Sequence, residues 1–180
     1  MLNPWFRRTC RAVVVHGGRM AFSYMANRSQ YVLPGGGIDP GETPQECAQR
    51  ECMEELGLGI VASEPVGIVR EFYDGILRYE NLYLEAKPTG HRGMPQRTEE
   101  EIGLGIQECW LDLRSTRPTL LQAPAHLMPN EFQVDHVQRA IANCHMRELL
   151  GISAVLGWPW EPIAESRIHL PGIAVKLEIV

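Results

Sequence analysis

One stretch of 23 residues constrains this chain more than any other, because its residues indicate a loop followed by a helix. It runs from residue 36 to residue 58 and reads GGIDPGETPQECAQRECMEELGL. Thr43 suits the N-cap of a helix, Pro44 suits its first position, and Glu46 completes a capping box. Gly57 is typical of the residue that ends a helix. We therefore predict one helix between these two ends, preceded by a glycine-rich loop.

Three carboxylates fall on one face of this predicted helix. At about 100° per residue, Glu55 lies about 40° to one side of Glu51 and Glu54 about 60° to the other. Like charges this close repel one another unless a cation offsets them, and carboxylate oxygens suit Mg²⁺ or Mn²⁺ better than zinc. The glycines before the helix leave a backbone carbonyl, from Gly35 or Gly36, free to act as a further ligand. The pattern therefore predicts a site for a divalent metal ion.

Arg50 is the cation within this stretch. It lies at helical spacing between Glu46 and Glu54, and it is within reach of Glu42 in the preceding loop. We predict that Arg50 orients the acidic side chains and offsets part of their repulsion.

The spacing of these residues resembles the Nudix box, Gly-x5-Glu-x7-Arg-Glu-U-x-Glu-Glu-x-Gly-U, in which U is a bulky aliphatic residue. All seven fixed positions match, at Gly36, Glu42, Arg50, Glu51, Glu54, Glu55 and Gly57. Cys52 stands where the family prefers Ile, Leu or Val. Because a buried cysteine is apolar, this departure concerns packing more than chemistry.

The resemblance implies both a fold and an activity. The fold would be α/β (α+β), with a mixed curved sheet between helices in an α-β-α sandwich. The activity would be hydrolysis of a phosphate anhydride in a nucleoside diphosphate linked to another moiety, with Mg²⁺ or Mn²⁺ as cofactor. Water would attack phosphorus and a carboxylate would act as base. Glu54, Glu55 and Arg50 are then the candidate catalytic residues, and Glu42 and Gly57 have supporting positions.

The sequence leaves the identity of the base and the substrate contacts open. The acidic triplet Glu99, Glu100 and Glu101 would supply a base or a further ligand, or it is a solvated loop. Tyrosines on the central strands are candidates for stacking on a nucleotide base, and arginines there are candidates for binding phosphate oxygens. The alternative is that they are ordinary strand or surface residues without a role in binding. These candidate substrate contacts are Tyr73, Tyr79, Arg70 and Arg78.

Two other functions are compatible with the same fold. One is a non-catalytic module that binds or senses a nucleotide such as ADP-ribose. The intact set of carboxylates disfavours it, because a sensor does not need residues that only chemistry requires. The other is an isomerase of isoprenoid diphosphates, which would need an additional cysteine and histidine site that the sequence does not place.

Outside the box, the pattern predicts a single mixed α/β domain. We expect residues 1–150 to form the Nudix hydrolase domain and residues 151–180 to form a C-terminal extension packed on it. The extension would be an extra strand or a homodimer contact, or it would have a role in substrate binding. Residues 87–105 are predicted to be an exposed loop. The predicted strands are 8–16, 20–25, 31–33, 66–73, 76–86, 108–113 and 173–180, and a second helix is predicted at 131–150.

The composition of the chain limits the classes of molecule that it is expected to bind. The net charge of -5 over 180 residues argues against a basic surface for duplex nucleic acid, whereas a small anionic nucleotide is compatible with a bound cation. The five cysteines include no CxxC pair and the histidines show no metal-triad spacing, so we interpret the cysteines as buried thiols. Neither a signal peptide nor a membrane-spanning run is evident, so we expect a cytoplasmic protein with no membrane partner.

Overall fold

The computed structural model describes residues 5–122, 131–158, 169–170 and 173–179. A mixed set of strands and helices occupies this part of the chain. In chain order they are β1 (Arg7–His16), β2 (Arg19–Met25), β3 (Gln30–Val32), α1 (Pro44–Leu56), β4 (Leu58–Tyr73), β5 (Ile76–Arg92), α2 (Glu99–Leu104), β6 (Ile106–Asp112), α3 (Leu113–Leu121), α4 (Glu131–Leu156), β7 (His169–Leu170) and β8 (Ile173–Ile179).

The strands form one mixed sheet in the order β3-β2-β1-β5-β4-β8-β7, with β6 pairing to β2. β1 runs parallel to β5, whereas β4 runs antiparallel to both β5 and β8. The long β4–β5 pair contains several register shifts, which bend a strand and increase its twist. The prediction of a mixed curved sheet is confirmed.

Helices cover both faces of this sheet. On one face, the apolar side of α1 packs against alternate residues of β1 and β5, in a cluster that includes Cys10, Cys52, Leu56 and Leu82. On the other face, α3 and α4 pack on the intervening residues of the same strands, in a cluster that includes Val13, Tyr83, Leu120, Leu149 and Ile152. This arrangement confirms the predicted α-β-α sandwich.

Helix α1 has the predicted ends. Thr43 accepts a hydrogen bond from the amide of Glu46, and Glu46 accepts one from the amide of Thr43, which completes the capping box. At the other end, Gly57 has a φ of 63°, a left-handed conformation that ends the helix. A side chain there would also collide with the carbonyl of Gly93, because a Cβ atom would lie 2.3 Å from that oxygen.

The prediction of an exposed loop at residues 87–105 is confirmed only for residues 93–98, and it is wrong for the residues on either side. β5 continues to Arg92 because β4 already begins at Leu58 and pairs with it there. Thr98 then caps the short helix α2 through its own capping box. Leu113, predicted to end a strand, instead begins helix α3.

The C-terminal part of the chain continues the same sheet and layers. α4 extends beyond the predicted residue 150 to Leu156, and β8 pairs with β4 through residues such as Val69 and Ile179. The predicted strand at 173–180 is thus present as Ile173–Ile179, whereas residue 180 lies outside the described residues. The division of the chain at residue 150 stays a prediction. Although α4 has 26 residues, no helix in the described part of the chain is long and apolar enough to cross a membrane.

Two of the five cysteines are not the free thiols that we expected. Cys10 on β1 and Cys47 on α1 form a disulfide, with their Cα atoms 6.4 Å apart. Cys52 and Cys144 are buried thiols as predicted, and Cys109 is half-buried. The pairing of Cys10 with Cys47 arises because α1 packs directly on β1, a contact between residues far apart in sequence.

Helix α4 covers the open edge of β3 with two side chains. The Nε2 atom of His145 accepts a hydrogen bond from the amide of Tyr31 at 3.0 Å, and a carboxylate oxygen of Glu148 accepts one from the amide of Leu33 at 3.1 Å. β3 is the terminal strand of the sheet, so these amides face away from β2. The strand that leads into the glycine loop is thereby held on both sides.

Beside that edge, Arg147 joins α4 to the sheet in a largely buried ion cluster. Its guanidinium lies 2.6 Å from the carboxylate of Glu148 and 3.2 Å from that of Glu71 on β4. Asn81 on β5 also donates to Glu71, at 2.8 Å. The side chain of Glu148 is fully buried and that of Arg147 is 14% exposed, so water contributes little to the solvation of these charges.

We expect the protein to lose stability as the pH falls from about 6.5 to about 4. Burial lowers the pKa of His145 from 6.5 to about 4, so in this range an unfolded chain binds a proton that the folded chain does not. The free energy of unfolding should therefore fall by up to about 3 kcal/mol from this group alone. Urea unfolding measures this contribution when the wild-type protein and His145→Gln are compared near neutral pH and near the pKa of about 4. The variant should show the smaller fall, and equal falls would contradict the prediction.

Candidate active site

The glycine loop before α1 lies along β1. The amide of Cys10 donates to the carbonyl of Gly36 and the amide of Ala12 donates to that of Pro34, both at 2.9 Å. The amide of Ile38 in turn donates to the backbone carbonyl of Arg8 at 3.2 Å. These backbone hydrogen bonds fix the loop against the sheet, immediately before the helix that carries the acidic residues.

The loop glycines directly contact two helix carboxylates. A Cβ atom on Gly36 would lie only 2.2 Å from Oε1 of Glu51, so the Glu51 carboxylate occupies space that any larger residue would fill. The amide of Gly35 donates to Oε2 of Glu55 at 3.3 Å. Glu51 and Glu55 are therefore both held between helix α1 and the loop, and both are buried.

Arg50 contacts three acidic side chains of the loop and the helix, as we predicted for its orienting role. Its Nε and Nη2 atoms donate to the two carboxylate oxygens of Glu42, at 2.8 and 3.0 Å. Its Nη1 atom contacts Glu51 at 2.8 Å and Glu54 at 3.1 Å. The structure does not pair Arg50 with Glu46, whose carboxylate is engaged in the capping box instead. The Arg50 hydrogen bond lowers the pKa of Glu42.

Glu55 has a distinct environment on the inner side of the helix. Oε2 of Glu55 accepts a hydrogen bond of 2.5 Å from the hydroxyl of Ser23 on β2. Burial raises the pKa of Glu55 to about 7, although the hydrogen bond from Ser23 and the charge of Arg11 oppose that rise. Burial also raises the pKa of Glu51, against the hydrogen bond from Arg50. Burial therefore disfavours the charged forms of both groups unless positive charge lies nearby.

The donor set suits a hard divalent cation. It contains three carboxylates and two loop carbonyls, and Gly36 leaves space for Glu51 beside them. In the described part of the chain, no three Asp, Glu, His or Cys side chains converge on one point as they stand. Arg50 lies between Glu51 and Glu54, so an ion would compete with Arg50 for these two carboxylates.

The two loop carbonyls are not free, contrary to our expectation. That of Gly35 accepts a hydrogen bond of 2.8 Å from the guanidinium of Arg11, and that of Gly36 accepts the amide of Cys10. Each oxygen retains a second lone pair. Gly36, whose partner is uncharged, is the better candidate ligand of the two.

The segment that leads to the acidic triplet contacts the C-terminal end of α1. Nε of Arg97 donates to the carbonyl of Glu55 at 2.8 Å, and α2 begins two residues later with Glu99. Glu99 and Glu100 are exposed, whereas Glu101 accepts a hydrogen bond from the Thr98 amide in the capping box. Their role as base or ligand stays a prediction, and Glu99 and Glu100 have the freer carboxylates.

The four candidate substrate contacts lie toward the β4–β5 hairpin. Arg70 donates to Glu80, which also accepts from Arg8, and both distances are 3.0 Å. The rings of Tyr73 and Tyr79 meet edge to face with centroids 6.2 Å apart, and Tyr73 donates to Glu71. Arg78 is half-buried on the same strand as Tyr79. The partners of Arg70 and Tyr73 are thus strand residues rather than the helix carboxylates, and the proposed substrate contacts stay predictions.

Three residues at the site were not identified from the sequence: Ser23, Arg11 and Arg97. Ser23 interrupts the apolar residues of β2, so a polar residue on a buried strand was the available signal. Arg11 lies similarly within the apolar run of β1. Arg97 sits in the segment that we had interpreted as a loop, and no periodic pattern marks it.

Two curated relatives share part of the sequence. The chain is 29% identical over 103 residues to the RNA pyrophosphohydrolase of Francisella tularensis subsp. mediasiatica, over 56% of each chain. It is 34% identical over 113 residues to the 8-oxo-dGDP phosphatase NUDT18 of Homo sapiens, over 63% of this chain and 33% of that protein. The matches thus span about half the length of the first relative and a third of the second.

The fold and the family are established by two further comparisons. A NUDIX hydrolase from Nitrosomonas europaea superposes with a TM-score of 0.51 at 18% identity, covering 75% of this chain and 89% of that one. At this identity the likeness shows the fold alone. The family model described as the NUDIX domain matches residues 6–130, which is more than half of the chain. The chain therefore belongs to the NUDIX domain family.

Proposed function

We propose that this protein is a pyrophosphohydrolase that cleaves a phosphate anhydride in a nucleoside diphosphate linked to another moiety, with Mg²⁺ or Mn²⁺ bound. One observation carries the proposal: Glu51, Glu54 and Glu55 lie along one helix beside the glycine loop, with two of them buried. Burial of ionisable carboxylates is unfavourable unless a positive charge offsets it. A divalent cation that binds a diphosphate would add to the positive charge that Arg50 already places beside Glu51.

The names of the relatives support the substrate class. Of the two relatives described above, one is named an RNA pyrophosphohydrolase and the other an 8-oxo-dGDP phosphatase, and only the second name specifies a nucleoside diphosphate. The net charge of -5 also favours a small anion held at a local cation over a long duplex. We therefore propose a small nucleotide derivative as the substrate.

The residues of the chain would position the reacting groups. Glu42 holds Arg50, and Arg50 in turn holds Glu51 and Glu54 in place. The Glu54 side chain is 40% exposed, more than Glu51 at 11%, so Glu54 is best placed to accept a proton from an attacking water. When bound, a divalent cation would neutralise the pyrophosphate oxygens and polarise the phosphorus that water attacks.

A panel of substrates tests this function. The purified protein is incubated with nucleoside triphosphates, dinucleoside polyphosphates, ADP-ribose, sugar nucleotides and oxidised nucleoside di- and triphosphates, each with Mg²⁺, Mn²⁺ or EDTA. Released phosphate, pyrophosphate and nucleoside monophosphate are quantified. We expect turnover of at least one substrate with a divalent ion and none with EDTA. Turnover that persists in EDTA would contradict the role of the metal.

The same panel separates an enzyme from a nucleotide sensor. Thermal melting is measured with each compound in parallel with the turnover assay. A compound that raises Tm but is not hydrolysed under any metal condition would favour the sensor, and absence of hydrolysis across the whole panel would overturn the proposed function.

A further inference from the structure

Arg11 lies at the junction between the sheet and the glycine loop. It is a half-buried residue on β1, between two fully buried neighbours, Cys10 and Ala12. Its Nη1 atom donates to the carbonyl of Gly35 at 2.8 Å and to that of Leu33 at 3.3 Å. One nitrogen of a planar guanidinium thus holds two carbonyls from alternate residues of the loop.

The peptide groups that Arg11 holds lie on either side of the one that contacts helix α1. The amide of Gly35 donates to Oε2 of Glu55, while the carbonyl of Gly35 accepts from Arg11. A Cβ atom on Gly35 would lie 2.1 Å from the carbonyl oxygen of Cys10, so the loop passes as close to β1 as a glycine permits. The Gly35 amide belongs to the peptide group between Pro34 and Gly35, whose own carbonyl accepts the amide of Ala12. Arg11 holds the carbonyls of the peptide groups on either side of it, so the position of the Gly35 amide depends on how firmly these two neighbours are held.

Structural stability alone does not explain an arginine at this position. Its Nε–H is the one buried side-chain donor without a hydrogen-bond partner among the residues that the structure describes. A buried unpaired donor is destabilising, and so is the desolvation of the charge that accompanies it. Arg11 therefore lowers folding stability through this unpaired donor while it orders the loop. Residues at functional sites commonly lower stability in this way.

We infer that Arg11 is a positioning residue of the active site, which holds the carbonyls of Leu33 and Gly35 on either side of the Gly35 amide, so that this amide is directed at Glu55. This inference rests on the proposed function for its effect on turnover. The contact itself, from Arg11 through Gly35 to Glu55, does not depend on which nucleotide is cleaved. A lysine in this place would keep the charge, but its shorter side chain would not bring the ammonium nitrogen to the position of Nη1, which contacts both carbonyls.

The test compares Arg11→Lys with a matched control, Arg19→Lys. Arg19 also donates to a backbone carbonyl, that of Trp110 at 3.0 Å, but on the exposed surface away from the loop. Two quantities are measured for each protein: hydrogen exchange of the Gly35 amide, and kcat and KM for a substrate that the wild-type protein hydrolyses. Thermal melting checks that each variant is folded.

For Arg11→Lys we expect exchange of the Gly35 amide to quicken about fivefold, as for the net loss of one hydrogen bond. We expect kcat to fall by about 10- to 100-fold, because a small displacement of a catalytic group has effects of this size. KM should change by less than about threefold, since Arg11 acts through Glu55 rather than on the substrate. Arg19→Lys should alter exchange and kcat by no more than about twofold.

Each outcome decides the inference. An unchanged Gly35 exchange rate in folded Arg11→Lys would overturn it, as would faster exchange with an unaltered kcat. A rise in KM without a fall in kcat would also overturn it, because it would indicate direct substrate binding. If the wild-type protein hydrolyses nothing, the proposed function fails by itself, and the exchange rate then decides whether Arg11 positions Gly35.

Discussion

Replacing Glu54 with Gln is expected to lower kcat by roughly 10²–10⁴-fold, the range for loss of a general base. Glu55→Gln should lower it comparably, because a neutral amide cannot supply negative charge for a divalent ion. Both substitutions preserve the size of the side chain. Since Glu54 is 40% exposed, Glu54→Gln should leave Tm within about 4 °C of the wild-type value.

The matched control for these variants is Glu46→Gln on the same helix. Glu46 lies in the capping box rather than in the carboxylate cluster, and glutamine also fits a capping box. Steady-state kinetics with Mg²⁺ or Mn²⁺ should show kcat for this variant within about twofold of the wild-type value. Wild-type rates in both Glu54→Gln and Glu55→Gln would show that the helix carboxylates do not perform the chemistry.

Among the single substitutions considered, removal of the Arg147 charge is expected to cause the largest loss of folding stability. Arg147→Met would leave Glu71 and Glu148 in a largely buried cluster without their cation, and breaking such a pair costs about 3–5 kcal/mol. Urea unfolding monitored by circular dichroism measures the loss. Because most of this cost comes from uncompensated negative charge, adding Glu71→Gln and Glu148→Gln to the same protein should recover part of it.

A surface arginine with equally short contacts provides the comparison. Arg92 pairs with Glu108 through two hydrogen bonds of 2.8 and 2.9 Å, but its side chain is 53% exposed. Arg92→Met should cost less than about 1 kcal/mol, because water already solvates both groups. If Arg147→Met were no more destabilising than Arg92→Met, burial of the Arg147 cluster would not determine its energetic effect.

The part of the site that depends on local sequence could be predicted. The ends of α1, its capping box and the contacts of Arg50 with Glu42 and Glu54 all involve residues close in sequence, and helical geometry relates them directly. The mixed sheet between helices followed from the resemblance carried by the same stretch. Short-range geometry was therefore sufficient for the helix and for most of the acidic cluster.

Contacts between distant residues could not be predicted in this way. Ser23 donates to Glu55 across 32 residues, and Arg147 reaches Glu71 across 76. Such pairs depend on how strands and helices pack, which neither periodicity nor spacing encodes. The short helices α2 and α3 were missed for a related reason: each has few buried residues, so neither shows a clear helical period in its apolar residues.

The way in which α4 meets β3 also limits how two copies of this protein can associate. A terminal strand with exposed amides is a template for adding a strand from another molecule, which leads to sheet extension or aggregation. Here the amides of Tyr31 and Leu33 are already used by His145 and Glu148. A second copy could extend the sheet at β3 only by first displacing helix α4, so a homodimer in which α4 stays in place would form through another surface.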